Sequence, residues 1–256
     1  MNEIVLDVPA IVRVLHEKYR SCIRKIDWNT SEIARAPDGN IADFKIGDHN
    51  IRAQHYIFTA AGGNEAISVT LDHHSTLAIQ KRPLLMAMMK NAPFPLFAHL
   101  VGLSEKPVAT ITTHITKDGT LVWYIGGGVA ERKKDSNPQD LFADCREALL
   151  KYMPHLKFLG VEWAALPIDR VEGKSGSGGW MPDTPTLHQS YNALYAWPTK
   201  LTFAPLLGDM IVQQLEKSRS KPSGKTQDWN FLPEIFPAQA PWDNAAWTND
   251  SSARQV

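Results

Sequence analysis

The sequence predicts an α+β fold: a large, mostly antiparallel sheet with flanking helices on one face. Three observations predict it. Two tight-turn signals, Asp38-Gly39 and Lys117-Asp118-Gly119, each lie between apolar stretches of strand character. Helical apolar spacing with a recognisable start occurs after Asp7, after Asn137 and near Pro205. Of 256 residues 43% are hydrophobic, enough to fill the core of one large domain or two small ones.

The elements follow in order. Asp7-Val8-Pro9 opens a helix, because Asp7 can accept from free first-turn amides and a proline there gives up no hydrogen bond. Ile11, Val14, Leu15 and Tyr19 form its apolar stripe, and it ends before Ile23. Residues 33–36 and 41–46 flank Asp38-Gly39 as a hairpin. Residues 52–60 form a strand that stops at Ala60-Ala61-Gly62-Gly63-Asn64, where small residues let the backbone be approached closely. Residues 81–89 form another strand. Residues 108–115 and 120–125 form a second hairpin ending in Gly126-Gly127-Gly128, and the large sheet is expected to carry both hairpins. Asn137-Pro138 caps a helix with Leu141, Cys145, Leu149 and Tyr152 on one face, and Pro154 stops it. Residues 161–166 are a short strand, 173–179 a Gly/Ser loop, 197–203 a short β-like stretch and 205–217 a helix. Residues 218–256 should lack regular structure, with Trp229, Trp242 and Trp247 docking on the body.

Charge and cysteine content exclude several classes. Lys plus Arg is 27 and Asp plus Glu is 27, so there is no basic excess to grip nucleic acid or an acidic membrane. Two cysteines cannot build a disulfide scaffold or a Cys-rich zinc module, and are expected as thiols in a reducing compartment. No apolar run reaches the roughly 18 residues of a membrane span, and the N-terminus does not read as a signal peptide. A cytoplasmic protein is expected.

Several motifs fail on inspection. Gly173-Lys174-Ser175 and Gly224-Lys225-Thr226 have Ile168 and Arg219 where a phosphate-cradling loop needs glycine. Gly176-x-Gly178 meets Met181 where a dinucleotide fingerprint needs its third glycine. His73-His74 are neighbours that point apart on a regular element, so surface or loop histidines are expected rather than a metal pair. Asp169, Glu172 and Asp183 are expected as solvated charges. A Gly-x-Ser-x-Gly elbow is absent, so a serine hydrolase has no support.

What remains are two small-residue strand ends, Ala60–Gly63 and Gly126–Gly128, and the segment Trp197-Pro198-Thr199-Lys200-Leu201-Thr202 before a helix start at Ala204-Pro205. Strand-end glycines expose backbone amides, and a helix start favours negative charge. These suit an extended anionic cofactor. Ordinary turns account for the same spacing.

Five segments, in this order, resemble the FAD-dependent oxidoreductases of the D-amino-acid-oxidase class. They are residues 3–9, 51–64, 80–84, 123–131 (Trp-Tyr-Ile-Gly-Gly-Gly-Val-Ala-Glu) and 197–205 (Trp-Pro-Thr-Lys-Leu-Thr-Phe-Ala-Pro), spread over residues 3–217. The resemblance implies a partial FAD-binding domain at 1–65, a substrate-binding domain of that family's type at 66–196, a return to the FAD domain at 197–217 and an irregular tail at 218–256. It implies FAD as cofactor and a small-molecule CH–OH or CH–NH substrate that gives hydride to the flavin. Ala61, Gly62, Gly63, Gly126, Gly127, Gly128, Thr199, Lys200, Leu201 and Pro205 would lie along the cofactor. Arg170, His188 and Tyr191 would face the substrate. Arg170 suits a carboxylate clamp, and a surface ion pair with Asp169 or Glu172 explains it equally. No catalytic residue is assigned.

The departure from the family is the opening strand, Gly-x-Gly-x-x-Gly and helix that hold the pyrophosphate, which this sequence lacks. The chain alone is therefore expected to bind FAD weakly or not at all. A truncated product, one half of a split enzyme whose partner is a second chain, and a miscalled start all fit. A non-catalytic binding module is the alternative from another class.

Overall fold

The computed structural model describes residues 4–74, 77–104, 106–174, 184–218 and 228–249. The chain forms two compact units. The first comprises residues 1–18, 83–169 and 236–256, the second residues 19–82 and 170–235.

The first unit contains α1 (Val8–Tyr19), most of β5 (Ile79–Lys90), β6 (Ala98–Leu100), β7 (Ala109–Ile115), β8 (Leu121–Gly126), α3 (Pro138–Tyr152), most of β9 (Glu162–Gly173) and β12 (Thr248–Asn249). Its strands form one sheet in the order β12-β9-β5-β8-β7-β6. The pairs β12–β9, β5–β8, β7–β8 and β6–β7 are antiparallel. The second hairpin is as expected: Ile115 faces Leu121, and Gly119 supplies φ +82° in the turn.

Strand alternation divides this sheet into two buried faces. Ala87, Met89, Trp123 and Trp163 join Leu141, Cys145 and Leu149 of α3 in one core. Met88, Val122 and Ala164, one position along, pack instead with Trp242 of the tail. Burial on both faces explains why 84–89 is an unbroken apolar run rather than an alternating one. The Asn137 cap is present, its side-chain oxygen accepting from the Gln139 N–H at 3.1 Å. The Asp7 carboxylate accepts from the Ala10 N–H at 3.0 Å. The apolar stripe of α1, however, buries no residue.

The second unit contains β1 (Ser31–Arg35), β2 (Ile41–Ile46), β3 (His49–Ile51), β4 (Tyr56–Phe58), α2 (Gly63–Thr70), β10 (Thr186–Ser190), β11 (Ala193–Trp197) and α4 (Ala204–Lys217). β1-β2-β3 form an antiparallel sheet, and β10-β11-β4 form a mixed one in which β10 and β11 are antiparallel and β11 and β4 parallel. The first hairpin thus forms, but in its own small sheet. The expectation that one large sheet carries both hairpins is corrected: the Asp38-Gly39 turn fixes local pairing only, and says nothing of which sheet the strands join. Asn192 joins the two small sheets. Its side-chain oxygen accepts from the Ile41 N–H at 2.8 Å and its amide donates to the Ile41 carbonyl at 3.1 Å. Ile41, Phe44, Tyr56, Phe58, Leu71, Tyr195 and Trp197 form this unit's core.

The β-like stretch expected over 197–203 ends at Trp197 and continues as a 3-10 turn, Leu201–Phe203, because Pro198 has no N–H for a ladder. α2 was not expected, since residues 60–64 read as the end of a strand. Among the described residues no helix is long and apolar enough to cross a membrane.

Candidate functional site

β4 and β11 are parallel, with Tyr56 opposite Ala193 and Phe58 opposite Tyr195. Both strands therefore end on one side of the second unit. β4 leads through Ala60–Gly62 into α2, and β11 through Pro198–Phe203 into α4. Carboxyl ends of neighbouring parallel strands, each followed by a helix, are where α/β folds place ligands.

Asn64, fully buried, binds the two strand ends together. It accepts from the Ala60 N–H at 3.0 Å and donates to the carbonyls of Phe58 at 3.2 Å and Ala196 at 3.5 Å. The Trp197 indole N–H donates to the Ala61 carbonyl at 3.1 Å. The side chains are thus inside, and Ala60 to Gly63 present an exposed ledge of small residues.

Backbone geometry at the two ends is unusual. Ala61 has φ +49° and Thr199 φ +64°. Left-handed backbone is disfavoured for alanine and more so for a β-branched residue. The Lys200 N–H donates to the Pro198 carbonyl at 2.6 Å, closing a three-residue turn with Thr199 at its centre. Lys200 is exposed, with Nζ 5.5 Å from the centre of the Phe203 ring. α4 then starts with no side-chain cap and no acidic residue in its first turn. The dipole at Pro205 is therefore offset by no carboxylate of that turn.

The two glycine groups differ in why glycine is there. Gly127 has φ +81°, and a Cβ there would lie 2.9 Å from Ala109 Cα. At Gly126 it would meet Met86 at 2.6 Å and at Gly128 the Val108 carbonyl at 3.3 Å. Internal packing in the first unit accounts for glycine at 127 and leaves little room for a side chain at 126 and 128. The Gly128 and Val129 amides are also spent, on the carbonyls of Pro107 and Val108 at 3.0 Å each. At Gly62, φ is an ordinary −65° and a Cβ would make only a normal 3.5 Å contact with Val171. Neither dihedral nor internal packing demands glycine at 62. A bare backbone there leaves room for a flat group from outside, so this ledge fits a flavin better than Gly126–Gly128 does.

The substrate-side candidates are distributed within the second unit. Arg170, exposed, has Nε 4.0 Å from the buried Glu172 carboxylate. Asp169 pairs with Lys134. His188 lies opposite Tyr195 in the β10–β11 register, and burial followed by the nearby His73 holds its pKa below the usual imidazole value. Tyr191 (φ +53°) sits in the turn before β11, at the opposite end of that strand from Thr199. Its ring packs against Gly39, where a Cβ would come within 2.3 Å, and lies 5.2 Å from the His73 ring. The structure thus brings Ala61, Gly62 and Gly63 together with the Trp197–Lys200 turn, and places Tyr191 away from them.

Two expectations about charge are corrected. Glu172 is not solvated but 1% exposed, accepting from Arg82 Nη2 at 2.9 and 3.1 Å and from Gln80 at 3.0 Å. Of the two alternatives for His73, surface or loop, the loop holds and the surface does not: it is 1% exposed, between the Tyr195 hydroxyl at 3.0 Å and the Gly39 carbonyl at 3.1 Å. Their partners lie far off in sequence, so no local pattern announced either. Asp183, the stretch 175–179 and Gly224-Lys225-Thr226 fall outside the described residues. Among the described residues no group of acidic, histidine and cysteine side chains could hold a metal. Asn64 and Trp197 organise the site without having been singled out for it. The only signal for Asn64 was its place directly after the glycine pair.

With this geometry the class is that of a mixed α+β protein whose candidate site lies at paired parallel strand ends. No protein-family model matches the chain. It is 36% identical over 228 residues to the Pseudomonas aeruginosa protein named probable FAD-dependent oxidoreductase PA4991, covering 87% of this chain and 56% of that protein. The crystal structure of the FAD-dependent oxidoreductase PA4991 superposes with a TM-score of 0.82 at 34% identity, covering 93% of this chain and 65% of the other. The fold is therefore shared with that protein, and the chain spans between half and two thirds of its length. Iminodiacetate oxidase from Chelativorans sp. BNC1, at 15% identity, a TM-score of 0.37 and coverage of 80% and 52%, is too distant to bear on fold or function.

Proposed function

We propose that this chain is the substrate-side and C-terminal part of an FAD-dependent oxidoreductase of D-amino-acid-oxidase type, oxidising a small CH–OH or CH–NH substrate. The observation that carries the reading is the 36% identity over 228 residues to a protein named as an FAD-dependent oxidoreductase. The exposed Ala60–Gly63 ledge beside the Trp197–Lys200 turn supports it from the geometry. In this reading the unit with β4 and β11 holds the cofactor, and the substrate-side candidates Arg170, His188 and Tyr191 lie in that same unit.

Bound flavin would supply hydride acceptance from the substrate carbon. This chain's residues would orient and stabilise. Ala61, Gly62 and Gly63 would present backbone to the ring or its chain. Thr199, Lys200 and Leu201, with the α4 start at Pro205, would favour negative charge through one cation and the helix dipole. Arg170 would bind an anionic substrate group, because Arg82 and Arg170 outnumber the Glu172 they share. A cytoplasmic setting suits the free thiols of Cys22 and Cys145.

A second reading, in which another polypeptide supplies the dinucleotide-binding segment, is favoured by α1, whose Ile11, Val12, Val14 and Leu15 are all exposed. Titrating FAD with the purified chain and following flavin fluorescence tests the first reading. Saturable quenching is expected, and weak, since the sequence holds no Gly-x-Gly-x-x-Gly to grip the pyrophosphate. No quenching at micromolar protein overturns flavin binding by this chain, and quenching restored only by a co-purifying chain supports the second reading.

A further inference from the structure

We propose that Trp197 is a positioning residue of the candidate flavin site. By holding the Ala61 carbonyl, its indole N–H makes the Ala60–Gly63 ledge and the Pro198–Lys200 turn one fixed surface. The proposal rests on the flavin reading above and deepens it.

Trp197 is the last residue of β11, 1% exposed, and its indole donates across to the neighbouring strand end at 3.1 Å. The Ala61 carbonyl accepts a second bond, from the Asn64 N–H at 3.3 Å. Ala61 is thereby held at φ +49° by groups on both sides. A connection needing only to turn from β4 into α2 would place glycine at the left-handed position, since glycine enters that region freely. Here glycine stands at 62 and 63, while the strained dihedral falls on Ala61. Such a conformation persists only where the surroundings over-determine it, and residues of this kind gather at ligand sites. Two positions beyond the indole, the half-buried Thr199 is left-handed in turn, so one buried side chain stands between two strained residues. A tryptophan chosen only to fill the core would not require its N–H to face Ala61, although a buried indole N–H does need some acceptor.

The test uses the full chain, with Trp197→Phe to keep a large ring and delete the donor, and Ala61→Gly to remove the strain. Without flavin, amide hydrogen exchange over residues 60–63 is expected to quicken about tenfold or more in Trp197→Phe, while exchange over β7 and β8 stays unchanged. With FAD, fluorescence titration is expected to show about tenfold weaker binding. Adding Ala61→Gly to Trp197→Phe should recover most of that loss, because glycine takes φ +49° without help. Unchanged exchange and affinity in Trp197→Phe overturn the proposal. Weakened binding that Ala61→Gly does not recover also overturns it, and assigns Trp197 to core filling. A parent chain that quenches no flavin sinks the flavin reading itself, and with it any role of Trp197 toward a flavin, whatever the exchange shows.

Discussion

Arg82 donates from Nη2 to both oxygens of Glu172, at 2.9 and 3.1 Å, and Glu172 is almost entirely withdrawn from water. The pair joins the first residues of β5 to the last of β9. Arg82 Nε is buried without a hydrogen-bond partner among the described residues, so the guanidinium depends on this one carboxylate. Removing the negative charge leaves Arg82 and Arg170 uncompensated.

Glu172→Gln should therefore destabilise by about 1.5–3 kcal/mol, the range for a lost hydrogen bond to a charged group. The urea midpoint should fall with an unchanged slope. Arg82→Lys should be nearly as costly, because an ammonium cannot span both oxygens. Wild-type midpoints in both variants would refute the pairing.

Tyr195 and His73 give a pH dependence with a definite sign. His73 Nε2 faces the Gly39 carbonyl and must donate, which leaves Nδ1 to accept from the Tyr195 hydroxyl. Burial pushes the Tyr195 hydroxyl up to about 12. Folded protein then holds a proton that unfolded protein releases near about 10, so stability falls as pH rises from about 10 to 12. Tyr195→Phe should cost about 1–3 kcal/mol at neutral pH by removing the donor to a buried nitrogen. It should also flatten the alkaline limb of the melting temperature, measured by circular dichroism.

Gly119 and Gly127 separate dihedral strain from packing. Both have φ near +80° (+82° and +81°), but a Cβ at Gly119 meets nothing within 4 Å. At Gly127 it would lie 2.9 Å from Ala109 Cα. Gly119→Ala should cost about 1–2 kcal/mol, from the backbone alone. Gly127→Ala should cost distinctly more by chemical denaturation, and equal costs would show that β7 can yield.

The thiols should react in two classes. Cys22 is exposed, whereas Cys145 lies on the buried face of α3 and burial pushes its thiol up to about 12. A thiol reagent should label one equivalent in the native chain and the second only on unfolding.

Thr199→Gly tests whether strain serves the site. Glycine accepts φ +64° freely, so the variant should gain up to about 1 kcal/mol in stability, read from the urea midpoint. The same change should weaken FAD binding, because the turn at 198–200 loses its fixed shape. Unchanged FAD affinity would remove Thr199 from the cofactor side.

The sequence by itself determined the parts whose chemistry is local. Asp7 and Asn137 reach only their own first turns, and Gly39 and Gly119 answer to dihedrals within their own hairpins. Helix starts, turns and the mixed character of the fold were legible there. Tertiary structure alone decided the rest. β4 is three residues long, too short for a periodic signal, and its partner β11 follows more than a hundred residues later. Glu172 and His73 are polar in any reading of the string, and only distant Arg82 and Tyr195 make their burial tolerable. The candidate site exists because two strand ends meet at the Trp197 indole, and pairing across such a separation leaves no trace in local spacing.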